Sequence, residues 1–118
     1  MTERILTVTR RPHPSGTTVL TVVGEIDHHT APRLSVVLDE VPFDSGKPLV
    51  VDMADVTYCD STGITVLVTA YRRAQAAGSD VTLAAVRPEL MHTFRTIGLE
   101  EIFVFQPTTE HALESRPF

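Results

Sequence analysis

Leu49-Val50-Val51-Asp52-Met53, then Asp60-Ser61-Thr62-Gly63, then Ile64-Thr65-Val66-Leu67-Val68: the reading of these three pieces decides the fold. The first is an apolar run with one polar member, the pattern of a strand covered on both faces. The third has the β-branched content of a strand. Yet Ile64, Leu67, Val68 and Tyr71 fall at i, i+3, i+4 and i+7, and that period predicts a helix. Ala70, Ala74, Ala76 and Ala77 favour helix, Arg72 and Arg73 lie toward its carboxyl end, and Gly78 fits the position just beyond it. The helix is therefore read over 62–77. A Ser or Asp just ahead of such a segment accepts a bond from a first-turn amide, so Asp60-Ser61-Thr62-Gly63 reads as a strand-to-helix turn that displays a hydroxyl.

Working outward, residues 4–10 are rich in β-branched types and are broken by Pro12, Pro14 and Gly16, which predicts an edge strand and a turn. Residues 17–24 form a second strand, and the two make an antiparallel hairpin. Thr30 is placed to cap a helix whose apolar stripe is Leu34, Val37, Leu38 and Val41, with Pro32 tolerable in its first turn. Pro42 and Asp44-Ser45-Gly46 end it. Downstream, 80–86 reads as a strand. Pro88 opens a helix carrying Leu90, Met91, Phe94 and Ile97, which Gly98 stops. Residues 101–105 read as the last strand, and Thr108 or Thr109 caps a short terminal helix through Leu113. Two strands followed by alternating strand and helix demand right-handed crossovers. The predicted fold is α/β, a mixed sheet with parallel core strands and an antiparallel N-terminal hairpin. Binding loops in such sheets favour the carboxyl ends of the strands, which is where Ser61 falls.

At 118 residues the chain suits one domain, read as 1–118. Its 42% hydrophobic and 21% charged content are ordinary for a globular protein. No apolar stretch approaches the roughly 20 residues of a membrane span, and Met1-Thr2-Glu3-Arg4 does not read as a leader, so a cytoplasmic protein is expected. The single cysteine, Cys59, excludes an internal disulfide and agrees with a reducing compartment. A net charge of -5 argues against nucleic-acid binding and suits a basic protein partner. Gly46-Lys47 is no phosphate loop, because Val41 stands where the leading glycine belongs and Pro48 where Ser or Thr belongs. His28 and His29 are adjacent and cannot easily serve one metal, and His13, His92 and His111 show no ligand spacing with them, so neither metal nor cofactor is expected.

Gly24-Glu25-Ile26-Asp27-His28-His29-Thr30-Ala31, the run Val51-Asp52-Met53-Ala54-Asp55-Val56-Thr57-Tyr58-Cys59-Asp60-Ser61-Thr62-Gly63, and Phe94-Arg95-Thr96-Ile97-Gly98-Leu99 together resemble the STAS domain family. More narrowly, they are similar to the bacterial anti-sigma factor antagonists, and the resemblance covers nearly the whole chain. It implies a STAS-type domain with helices mainly on one face of the sheet. It also implies a cycle. The unphosphorylated protein binds an anti-sigma factor that is a serine kinase, freeing the sigma factor. Phosphorylation ends the binding, and a metal-dependent serine phosphatase restores it. The protein is then a substrate and a binding module, not an enzyme, with no contact to membrane or nucleic acid.

By the same resemblance the acceptor is Ser61, with Thr62 as fallback, although Ser61 as a simple helix cap is the plainer alternative. Glu25, Asp27 and His28 are expected beside the serine turn on the kinase-binding face, with Asp27 the foremost acid. Asp60 either caps the helix or faces the partner. Gly63 either admits a partner backbone or simply leaves room for packing, and Ile64 is either an exposed contact or the first core residue. Cys59 is expected to pack at its strand end. A rival reading keeps the fold and makes the chain a never-phosphorylated docking subunit of an ATPase or signalling complex. A receiver-like domain phosphorylated on Asp52 or Asp60 is disfavoured, because Lys47 is the only lysine and precedes the middle strand. A transporter-tail STAS domain lacks an accompanying membrane segment.

Overall fold

The Leu49 run continues as a strand well past Met53, to Cys59 (β3, Leu49–Cys59). It is the middle strand of a five-stranded sheet in a computed structural model that describes residues 5–43 and 46–114. The others are β1 (Leu6–Pro12), β2 (Thr18–Ile26), β4 (Val81–Ala84) and β5 (Val104–Gln106). The order is β1-β2-β3-β4-β5, with β1 antiparallel to β2 and every other pairing parallel. Helices α1 (Ala31–Asp39), α2 (Ser61–Ala76), α3 (Pro88–Thr96) and α4 (Thr109–Glu114) complete the chain.

Past Met53 the strand is hard to see in the sequence because two bulges interrupt its alternation. Pairing steps from Thr21↔Asp52 to Val23↔Asp55 and from Gly24↔Val56 to Glu25↔Tyr58, so β3 carries an extra residue each time. Met53, Val56 and Cys59, its inward residues there, consequently fall three apart. Arg87 fastens the first bulge, its Nε donating to the Ala54 carbonyl at 3.0 Å.

One face of the sheet carries the main core. Leu20, Val22, Leu49, Val51 and Met53 pack there against Leu34 and Leu38 of α1, Leu67, Ala70 and Ala74 of α2, and Leu90 and Phe94 of α3. On the other face, among the described residues, only α4 packs, its Ala112 and Leu113 resting on Val19, Val50 and Ala84. Helices therefore lie mainly on one side, as expected.

Several boundaries differ from the expectation. The first strand is Leu6–Pro12 and runs through Arg11, while Arg4 lies outside the described residues. Asp44 and Ser45, read as helix-ending residues, also lie outside them. Val41 is not in α1, although it is buried just beyond it. Leu99–Glu101 is a 3-10 turn, and the last strand starts only at Val104. Gly98 sets this offset with a left-handed φ of 85°, which starts a further turn instead of a strand. Thr108 does cap α4, its Oγ1 accepting from His111 N at 2.9 Å.

Arg73 clamps α2 to the carboxyl end of α1. Its guanidinium donates to the carbonyls of Leu38 at 2.7 Å and Val41 at 3.4 Å, and stands 5.2 Å from the centroid of the Phe43 ring. A cation at a helix carboxyl end is favourable, and a charged donor to such carbonyls is worth about 1.5–3 kcal/mol. The 3.9 Å pair with Asp39 adds little, since the Asp39 side chain is 70% exposed and that of Arg73 37%. Arg73→Ala is expected to cost about 2 kcal/mol, or about 8 °C in Tm, in thermal unfolding. Arg73→Lys restores little of it, because an ammonium cannot fork across two carbonyls.

Candidate functional site

Capping at the head of α2 is done by Asp60, not Ser61. Asp60 sits in extended backbone, and its Oδ1 accepts from Thr62 N at 2.9 Å and Gly63 N at 3.2 Å. With the cap filled, Ser61 is the first helical residue and its side chain is exposed. Among the described residues no hydrogen bond engages its hydroxyl, and its carbonyl accepts from Thr65 Oγ1 at 2.9 Å. A serine here stands at the positive end of a 16-residue helix. The cap reading of Ser61 is thereby replaced by an open hydroxyl.

The loop after β2 lies directly alongside. Ile26 and Cys59 are register partners at the carboxyl ends of two parallel strands, and Asp60 N donates to the Ile26 carbonyl at 3.1 Å. Residues 25–30 and the serine turn thus share one edge. Asp27 is buried, at 3% exposure, with Oδ1 accepting from His29 N at 2.9 Å and Thr30 N at 3.1 Å. Thr30 Oγ1 in turn accepts from Asp27 N at 2.9 Å and donates to the Glu25 carbonyl at 2.7 Å. Thr30 makes no cap bond to α1, so its expected role is corrected: it braces the loop. The Asp27 to Thr30 spacing, a reciprocal pair like a capping box, is the sequence signal for this brace. The Ile26 carbonyl, which ties the two loops together, leaves no such signal.

The expected site residues thus gather at one edge but face different ways. Ser61 and His28 are exposed; Thr62, Glu25 and Asp60 are half-buried. His28 and His29 stack with ring centroids 4.0 Å apart. Ile64 is half-buried and packs on the main core. Gly63 is buried, and a Cβ there would stand 2.6 Å from Ile26 Cγ2 and 2.7 Å from Cys59 Sγ. Its missing side chain therefore makes room for packing and seats the turn against the strand ends. Among the described residues no group of three His, Cys, Asp or Glu side chains is placed to hold a metal, and no helix is long and apolar enough to cross a membrane.

Cys59 is buried beneath the turn at 6% exposure. Burial first, and the Asp60 charge second, push its thiol up from 9.0 to about 12. The thiolate is the nucleophile, so native protein at pH 8 is expected to resist iodoacetamide, with one label appearing on unfolding. Labelling of the native fold at a free thiol's rate would contradict this. The folded-state value is raised, so stability from this group is complete below pH 9 and is lost as pH climbs toward 12.

The STAS domain family model matches residues 9–112 of this chain. An anti-sigma-B factor antagonist of Listeria monocytogenes is 35% identical over 81 residues, covering 69% of this chain and 71% of the relative. That of Bacillus subtilis is 31% identical over 94 residues, covering 79% and 84%. Among solved structures, an anti-sigma factor antagonist from Mycobacterium paratuberculosis superposes with a TM-score of 0.83 at 28% identity, over 94% of this chain and 93% of that one.

Proposed function

The chain belongs to the STAS domain family, and on that premise we propose that it is an anti-sigma factor antagonist switched by phosphorylation of Ser61. Its unphosphorylated form binds an anti-sigma factor that is itself a serine kinase, and this frees the sigma factor. The γ-phosphoryl group passes from ATP held by that kinase to Ser61 Oγ, whose proton is lost, and ADP is the leaving group. A metal-dependent serine phosphatase hydrolyses the ester and resets the switch. The observation that carries this reading is the division of labour at the turn: Asp60 holds the helix, and Ser61 is left exposed with its hydroxyl unengaged among the described residues.

Two physical points support it. An added phosphate at the first turn meets free amides and about half a positive charge, so the helix does not melt. The modification also adds about -1.5 to -2 charges to the edge shared with Glu25 and Asp27. A change of that size acts on a partner without refolding the protein. We place the partner contact on this same edge, with Glu25, His28, Thr62 and the flank of Ile64 touching it. Asp27, Asp60 and Gly63 hold those groups in position.

The test is intact mass and phosphosite mapping after incubation with ATP and the anti-sigma factor kinases of the same genome. One phosphoryl group on Ser61, absent from Ser61→Ala, is expected. If a kinase binds the protein but modifies no residue of it, the docking-subunit reading replaces this one.

A further inference from the structure

The far side of the sheet is covered by α4 only near Val19, Val50 and Ala84. Beyond that helix, no element among the described residues covers the carboxyl-terminal reach of β2 and β3 on this side. Register places Thr7, Val23 and Asp55 in one row across β1, β2 and β3, and Glu25 beside Tyr58 in the next. Partners in a row share a face, because their side chains leave the pleat together. Val23 is 40% exposed, Tyr58 46% and the adjoining Ile5 72%. The other large exposed apolar residues, Val36, Ile97 and Val104, stand on α1, just past α3 and on β5. Here Val23 and Tyr58 stand in successive rows of one face, Ile5 directly precedes β1 beside Gly24, and Tyr58 lies three residues ahead of Ser61.

Charge indicates the kind of surface this patch fits. Asp55 and Glu25 lie in its two rows, and the chain carries a net charge of -5. Arg87 stands at the margin, engaged with the Ala54 carbonyl. A tyrosine flanked by acids suits a segment that brings an apolar side chain together with Arg or Lys, because aromatic anchors dominate such contacts and opposite charge steers them.

Resting on the antagonist reading, we propose that the anti-sigma factor partner holds this protein on two surfaces that meet at Glu25 and Tyr58. One is the serine turn, and the other is the far face of β2 and β3, which takes a basic, apolar-tipped segment of the partner. The two surfaces have different duties. Phosphate on Ser61 repels at the turn, while the far face lies on the opposite side of the sheet from α2 and keeps its attraction. The phosphorylated protein then retains weak, salt-sensitive binding.

The experiment titrates the purified kinase anti-sigma factors of the same genome against wild type, Tyr58→Ala, Asp55→Lys and Ser61→Asp, with circular dichroism as the fold control. Tyr58→Ala is expected to bind at least about tenfold more weakly. Asp55→Lys is expected to weaken binding and to flatten its salt dependence. If Tyr58→Ala binds within about twofold of wild type while Ser61→Asp fails, the far-face contact is overturned and the antagonist reading stands. Asp55→Lys binding more tightly than wild type overturns the basic partner segment. Loss in Tyr58→Ala with none in Ser61→Asp upholds the surface and overturns the switch. If no kinase binds wild type, both fall.

Discussion

Ser61→Asp is expected to bind the proposed partner kinase at least about tenfold more weakly than wild type, with the fold intact. The size follows from Coulomb's law. A partner carboxylate about 5 Å from the new charge feels about 3 kcal/mol of repulsion at an effective dielectric near 20, and salt screening lowers this. A remainder of about 1.4 kcal/mol is already tenfold. Stability moves the other way, because an acid in the first turn of a helix is favoured by about 0.3–1 kcal/mol. Asp60 already provides the cap, so nothing is lost there. Calorimetric titration beside a thermal melt checks both halves. Binding equal to wild type, with an unchanged melt, would make the chain a passive docking subunit.

The separation of binding from stability at Ser61 was only half legible in the sequence. Asp60-Ser61-Thr62-Gly63 announces a strand-to-helix turn, but the residue pattern allows either Asp60 or Ser61 to cap. The choice depends on backbone direction: Asp60 has a ψ of -173°, which turns its carboxylate onto the Thr62 and Gly63 amides. The helical reading of α2 overcame the strand propensity of Ile64, Thr65, Val66, Val68 and Thr69 through the spacing of Ile64, Leu67, Val68 and Tyr71. The fully buried stripe is instead Gly63, Leu67, Ala70 and Ala74, so small residues missing from that pattern seat the helix. In β3 the same logic stopped too early at Met53, where the bulges change the inward period from two to three. Asp27 shows the limit of composition most directly. An acid in a polar loop reads as surface, yet three residues later Thr30 supplies the partner that lets its backbone and carboxylate be buried.

Positioning of the Ser61 edge therefore depends on how β2 ends, and Gly24 is where that ending is most constrained. It has a φ of 123°, a backbone that residues with a side chain rarely adopt, and a Cβ there would stand 2.5 Å from the Ile5 carbonyl oxygen. Strain of this kind costs about 1–3 kcal/mol, and forcing strand β1 aside costs about as much again. A stiffer unfolded chain returns less than about 1 kcal/mol. Gly24→Ala is therefore expected to lose about 2–4 kcal/mol, a large part of a normal domain's stability, and roughly 8–16 °C in Tm. Gly78→Ala is the internal control. It has a φ of 73° and nothing within 4 Å of an added Cβ, so it carries the conformational cost alone. Of the two, Gly24→Ala should melt several degrees lower, and it should also slow phosphoryl transfer to Ser61, because Glu25, Ile26 and Asp27 follow directly along the strand. Equal melting of the two variants would mean that β1 yields freely at Ile5 and that the edge is less rigid than its hydrogen bonds suggest.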